Sequence, residues 1–368
     1  MQSIEVIKIN NLVEVAINNL KIHFRSINGK NGWHQYLGSD KIGNIATAQA
    51  LLLLDACNED FNNKHLAYDF LINAQNTTKA PLLYGGWSYV TNFSELPTTE
   101  CTSWALLALL KNYSNTKKTK KGLQWLIENH PDKTKDIGWG TIKSDIPRVY
   151  STCLALRVLK KYKFHNSNEF QNSLSWLIKS QNTDFGWGEQ FGHKSTIFHT
   201  SFVISTLVEI YDSNNSIIDN GISWLIKNFN FTIENSNSNI GSQEIIDFDY
   251  ANGDETKHQR LIYFHTPLPH AIIALIDTGN IFNKNVFLAL NEIVNNNNNG
   301  YWKHPNFNDS TQKPLWLIYN MVTSLKKFTL NVKNWNDVKK IELKNNKRIL
   351  TSNTNPFNMK KFFENFIL

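Results

Sequence analysis

A Gly-Trp pair recurs along this chain at a near-constant interval. Trp33, Trp87, Trp139 and Trp187 each follow a glycine, with gaps of 54, 52 and 48 residues, and Trp302 follows after roughly two more periods. A fixed period of this length marks stacked supersecondary units that bury their apolar faces on one another. Two further signals share the period. Upstream stand Phe70-Leu71-Ile72, Trp125-Leu126-Ile127, Trp176-Leu177-Ile178 and Trp224-Leu225-Ile226, each within a helix-period segment. Downstream, Thr47, Thr102, Thr152 and Thr200 open apolar runs, and Thr266 opens a fifth, less regular one.

The upstream segments carry Lys, Glu and Asn on one side, as an outer helix does, whereas runs such as Trp104–Leu110 are apolar almost all round and suit burial on every face. One unit is therefore an outer amphipathic helix, a Gly-Trp turn and an inner buried helix. The pattern predicts outer helices over 4–27, 64–75, 117–130, 168–181, 216–229 and 283–295, and inner helices over 42–56, 98–113, 148–163, 196–211, 261–277 and 313–326. Inner helices buried on all sides require closure, so the expected fold is all-α: an (α/α)6 barrel, or toroid, of six helix pairs over residues 1–328. Residues 329–368 fall outside the period as a basic C-terminal extension ending in Phe362, Phe363, Phe366, Ile367 and Leu368. The fifth unit lacks its tryptophan; Ile240-Gly241 stands at the turn, followed by an acidic insertion.

The net charge of +7 comes from lysines scattered among asparagines rather than gathered in a stripe, which argues against a nucleic-acid partner. Cys57, Cys101 and Cys153 are too few and too dispersed for a disulfide framework or a zinc finger. The absence of a membrane-length apolar run and of a signal-peptide core leads to the expectation of a cytoplasmic protein with no transmembrane segment.

The stretch Trp176-Leu177-Ile178-Lys179-Ser180-Gln181-Asn182-Thr183-Asp184-Phe185-Gly186-Trp187-Gly188-Glu189 resembles the Gln-Trp repeat of squalene and oxidosqualene cyclases and of protein prenyltransferase β subunits. Gln75 with Trp87 is a second match, while His130 and Phe229 replace the glutamine in other units. The resemblance covers roughly residues 30–326. It implies an α/α toroid whose central cavity accepts an isoprenoid chain, with the glutamine capping a helix end against the tryptophan. Fold does not fix activity, so the site is argued separately.

In a barrel of this type the inner helices run parallel, and their N-termini would gather at one mouth, where free N–H groups and helix dipoles favour an anion. The resemblance to class II terpene cyclases implies an Asp-x-Asp-Asp-Thr motif at one inner-helix start, its middle Asp protonating an alkene or epoxide. No unit carries that triplet. At the acid position, two before the threonine, stand Ile45, Glu100, Tyr150, Phe198 and Phe264, so Glu100 is the candidate acid. In an aromatic, water-poor cavity its pKa would rise and keep it protonated.

Phe198-His199-Thr200 resembles the zinc-histidine helix of prenyltransferase β subunits, and Phe264-His265-Thr266 repeats the tripeptide. The family's Asp-x-Cys partner is missing, Pro147, Arg148 and Val149 standing in its place, so no zinc is expected. Arg148 could grip a phosphate or carboxylate, or pair with Asp145 or Glu100. Arg148 and His199 are the candidates to orient acid or substrate, and Trp104, Tyr150, Phe198, Phe202, Phe264 and His265 the candidate substrate contacts, since aromatic faces stabilise cations. No cofactor is expected. The carboxylates of Asp247–Thr256 would hold Mg2+ if the substrate is a diphosphate, and otherwise form a solvated acidic loop.

The expected function is thus binding of an isoprenoid or similar apolar chain, with acid-initiated cyclisation from Glu100 as the enzymatic form. Two alternatives remain open: a non-catalytic toroid that holds a peptide, lipid or protein partner through its mouth or C-terminal tail, and a glycoside-processing barrel, for which turn residues Asp184 and Glu189 would have to supply a second acid.

Overall fold

The computed structural model describes residues 6–80, 82–89, 96–132, 134–211, 215–229, 242–252, 255–304 and 312–345. Among them are twelve helices and two small two-stranded sheets. Helix α1 (Val6–Ile22) leads into a short hairpin, β1 (Arg25–Ile27) and β2 (Lys30–Gly32). Helices α2 (Asn44–Ala56), α4 (Thr99–Tyr113), α6 (Val149–Lys161), α8 (Ile197–Ile210) and α10 (Pro267–Asp277) are buried over most of their length. Between them come α3 (Lys64–Asn73), α5 (Lys117–Glu128), α7 (Asn168–Lys179), α9 (Ser216–Asn228) and α11 (Lys284–Asn295), of which α5, α7, α9 and α11 are strongly one-sided. The chain ends its described course in α12 (Leu315–Asn345).

The buried helices touch in sequence: α2 on α4, α4 on α6, α6 on α8, α8 on α10, α10 on α12, and α12 back on α2. Each partly exposed helix packs chiefly on the buried helix that precedes it in the chain, α3 on α2, α5 on α4, α7 on α6, α9 on α8 and α11 on α10, and α1 packs on α12. Side-chain oxygens set the helix starts: Thr98, Thr116, Ser167 and Thr196 each accept an N–H from the third residue on.

The Gly-Trp period has a physical basis. Each tryptophan is fully buried, and its indole Nε1–H donates to a carbonyl at the end of its own outer helix: Trp33 to Leu20 (2.7 Å), Trp87 to Leu71 (2.7 Å), Trp139 to Leu126 (3.0 Å), Trp187 to Leu177 (2.9 Å). Trp302 does the same to Ile293 at 2.8 Å. The tryptophan's own N–H donates to the hydroxyl of the recurring threonine: Trp33 to Thr47 (3.2 Å), Trp87 to Thr102 (3.0 Å), Trp139 to Thr152 (2.9 Å), Trp187 to Thr200 (2.9 Å). The turn is thereby pinned between outer and inner helix with its buried polar groups paired. Gly138 is obligatory for this closeness, since a Cβ there would lie 2.3 Å from the Thr152 hydroxyl and 2.6 Å from the Trp176 ring.

The glutamines link units. Gln75 donates to the carbonyls of Gly85 (2.7 Å) and Lys118 (2.8 Å), and Gln181 to those of Phe185 (3.0 Å) and Ile217 (3.1 Å), so each reaches the first turn of the next outer helix. His130 substitutes with one imidazole nitrogen, within hydrogen-bond distance of the Ile137 carbonyl and the Ser173 hydroxyl.

One sequence expectation needs correction. The chain is not all-α: residues 242–265, expected as an acidic loop and the start of an inner helix, form an antiparallel hairpin, β3 (Ser242–Asn252) and β4 (Glu255–His265), and the helix begins only at Pro267. Burial alternates along β3, with Glu244, Ile246 and Phe248 inside and Ile245, Asp247 and Asp249 outside; that period of two lay behind the charges. On its outer face Asp247 pairs with Arg260 (2.7 Å) and Asp249 with His258 (2.9 Å). Helix α12 runs through residues 328 and 329 and on to Asn345. Ile240-Gly241, Asp254 and the apolar C-terminal residues lie outside the described residues.

Candidate active site

The first turns of the buried helices converge on one cavity of about 260 Å3. Gly43, Ile45 and Gln49 come from the start of α2, Glu100 and Trp104 from α4, Tyr150 from α6, Phe198 and Phe202 from α8, Thr266 and His270 from α10, and Trp316 and Asn320 from α12. The loop after β2 adds His34 and Tyr36, and the root of β4 adds Leu261 to His265. The wall is mostly aromatic: Tyr150 lies 5.0 Å from Phe202 between ring centroids, and Phe264 stacks on Trp316.

Glu100 is the single carboxylate among the described residues lining this cavity. Tyr89 donates to one of its oxygens at 2.5 Å and Tyr150 to the other at 3.1 Å. The Tyr263 hydroxyl, buried without a well-aligned partner, approaches from the hairpin closely enough to favour the ionised form. Burial nevertheless dominates and raises the Glu100 pKa above the ordinary carboxyl range; the phenols pull it back and the charge of Glu244 adds to the rise. Burial, followed by the Glu100 charge, also holds all three phenols far above their usual range, so they remain donors.

The cavity histidines are neutral near pH 7. Burial pushes His270 down to about 3, with the Arg157 charge adding to it, and His265 down to about 4 against the pull of Glu244. Burial also lowers His34. No lysine or arginine is among the described lining residues. Arg157 lies beyond the wall, its guanidinium 4.6 Å from the Phe202 ring centroid and its charge facing Glu209.

Of the residues singled out by sequence, Glu100, Trp104, Tyr150, Phe198, Phe202, Phe264 and His265 line this one space. Arg148 and His199 do not. Arg148 is buried with Nε on Asp145 (2.9 Å) and NH1 on Glu244 (2.8 Å), so its guanidinium is committed to protein carboxylates. His199 receives a contact from the Thr196 hydroxyl at Nδ1 (2.9 Å), and its Nε2 sits 3.5 Å from Glu244. Asp184 holds Ser195 and Trp224 in a turn, and Glu189 faces His193. The aromatic residues that sequence places near the cavity mouth include Tyr89, two residues beyond a Gly-Trp pair, but not its bond to Glu100. Sequence reasoning missed Glu244 and Tyr263, which reach the site only through the hairpin register that sets them opposite each other.

No protein-family model matches the chain, and no curated protein does. Solved structures do match in fold. A variant of the type II terpene cyclase MstE from Scytonema, holding geranylgeranyl dihydroxybenzoate as substrate, aligns with TM-score 0.60 at 13% identity, covering 88% of this chain and 98% of that one. The apo form of that cyclase aligns at 0.58 and 12%, covering 89% and 99%. A β-1,3-1,4-glucanase from Paenibacillus sp. X4 aligns at 0.57 and 9%, covering 89% and 93%. At these identities the likeness is one of fold, and it is terpene cyclase-like. The same fold carries more than one chemistry.

Proposed function

We propose that the protein is an α/α toroid that takes an isoprenoid or similar apolar chain into the aromatic cavity and cyclises it by proton donation from Glu100. The closed cycle of helix contacts, with six helix starts around one cavity, supports the toroid. The observation that carries the chemistry is the setting of Glu100: a lone carboxyl with raised pKa, facing aromatic rings. Burial raises the pKa of the acid and so favours its protonated form, and Tyr89 and Tyr150 hydrogen bond to the carboxylate that remains once the proton has gone. The cation then lies among Tyr150, Phe198, Phe202 and Trp104, whose ring faces attract it, while the neutral histidines add no opposing charge. Because the described lining offers no lysine, arginine or second carboxylate, protonation fits the cavity better than metal-assisted loss of a diphosphate.

The volume lies just under the ~300–1,000 Å3 usual for small-molecule sites, which favours a short prenyl chain over a squalene-length one. Gln49 Oε1, buried without a hydrogen-bond partner, supplies a polar contact for a head group. Glycoside cleavage, the chemistry of the glucanase neighbour, fits less well. It needs two acids flanking the bond, and Glu244, the carboxylate whose charge acts on Glu100, is buried against Arg148 and His265 and is not among the lining residues.

The test is incubation with farnesyl, geranylgeranyl and squalene-type substrates followed by product analysis, comparing wild type with Glu100→Gln. Cyclic product from wild type and at least a hundredfold less from the variant is expected for loss of a general acid, worth about 10²–10⁴ in rate. Equal turnover by both overturns the role given to Glu100. A stable complex with no product under any condition would favour the binding-scaffold alternative.

A further inference from the structure

Behind the cavity wall lies a cluster with a different chemistry. His199 opens α8, Glu244 lies on β3, and His265 ends β4, and one donor atom from each falls within 4.8 Å of the others. All three side chains are almost wholly buried. His265 Nε2 is 3.0 Å and His199 Nε2 3.5 Å from Glu244 Oε2. Two ligands held ~2.0–2.1 Å from a tetrahedral ion sit about 3.3 Å apart, between these two separations.

Two further observations point to a missing cation. His199 Nε2 is buried and makes no well-formed hydrogen bond, facing Glu244 Oε2 at a long 3.5 Å, while its Nδ1 is oriented by Thr196; a buried nitrogen so weakly satisfied is costly unless something binds it. The charges do not balance either. Asp145 and Glu244 set two carboxylates against the one guanidinium of Arg148, in a place where an uncompensated charge is expensive. A bound dication would satisfy that nitrogen and offset the excess negative charge together. Its ligands are already oriented from behind: Thr196 on His199, and Arg148, itself held by Asp145, on Glu244.

We propose that His199, Glu244 and His265 bind a zinc-class divalent cation that staples the β3–β4 hairpin to the start of α8. Two imidazoles and a carboxylate suit zinc, and three protein ligands leave a fourth position for water. His265 also lines the cavity, which gives the ion its route in. The staple fixes the strand that carries Tyr263, and so the roof over Glu100. This site uses residues other than the acid.

The experiment is a titration of the chelator-treated, full-length protein with Co2+ alone, read by visible absorption, followed by displacement with Zn2+. One equivalent bound, with the ligand-field bands of four-coordinate cobalt lost on adding zinc, is expected. His199→Ala, which removes a side chain with one hydrogen bond to the protein, should bind at least about tenfold more weakly, and His193→Ala, on an exposed turn, should bind as wild type does. A melting curve is the second arm: Zn2+ raises the wild-type Tm and leaves that of His199→Ala unmoved. No saturable one-to-one binding by wild type, or undiminished binding by His199→Ala, overturns the proposal. Neither readout involves turnover, so failure here is distinct from failure of the acid assignment.

Discussion

Thr200→Val isolates the hydrogen bond that repeats through the fold. Valine keeps the shape of threonine, so no cavity opens, but the buried Trp187 N–H loses the hydroxyl it meets at 2.9 Å. The weaker return bond from the hydroxyl to the Trp187 carbonyl, at 3.3 Å, is lost as well. A buried donor stripped of its partner costs about 1–3 kcal/mol. The next residue provides an internal control: Ser201 is equally buried, and its hydroxyl has no hydrogen-bond partner. Ser201→Ala removes a polar atom that gains nothing from burial and should be neutral or slightly stabilising. Urea unfolding followed by circular dichroism compares the two, with the midpoint falling for Thr200→Val by the equivalent of about 1–3 kcal/mol at unchanged slope. Equal losses from both substitutions would refute the reasoning, since side-chain packing alone would then account for the threonine register.

Further outcomes follow from the same geometry. Tyr89→Phe removes the 2.5 Å donor to Glu100 and should slow proton donation about tenfold while raising the carboxyl pKa further, read as a pH–rate profile whose falling limb moves to higher pH. In the wild type that limb falls as pH rises through the raised pKa of Glu100, because the protonated form is the active one. His270 has its pKa lowered by burial to about 3, so the stability it contributes is fully present above the ordinary histidine value near 6.5 and is lost as pH falls from there toward 3. His270→Leu should flatten the stability profile in that window, measured by urea titration at successive pH values. Gly122→Ala places a Cβ 2.5 Å from the Trp87 ring and should destabilise by roughly 1–3 kcal/mol, seen as a lowered Tm.

The helices were legible because two periodicities coincide, the 3.6-residue stripe within each unit and the Gly-Trp interval between units. Predicted outer segments 117–130 and 168–181 became Lys117–Glu128 and Asn168–Lys179, and inner segments 98–113 and 196–211 became Thr99–Tyr113 and Ile197–Ile210. Both helices of the fifth unit were legible, but the hairpin between them escaped because its signal is carried by a different periodicity: the alternation of Glu244, Ile246 and Phe248 is a strand pattern inside a chain otherwise read for helices. Glu100 could be found because the threonine fixes a register at every inner-helix start. Tyr263 and the His199–Glu244–His265 cluster could not, since Tyr263, Glu244 and His265 arrive only through the β3–β4 pairing. Arg148 shows the limit from the other side. Its place beside the acid position was readable, but its commitment to Glu244, 96 residues away, was not.

The most direct test of acid initiation is to run the reaction in D2O and weigh the product. Exchange loads Glu100 with deuterium from solvent, so a cyclisation begun by this carboxyl places one deuterium on the product carbon that receives the proton, and Glu100→Gln yields next to no labelled product. Cyclic product that carries no solvent deuterium, or labelled product formed as fast by Glu100→Gln, would contradict the account.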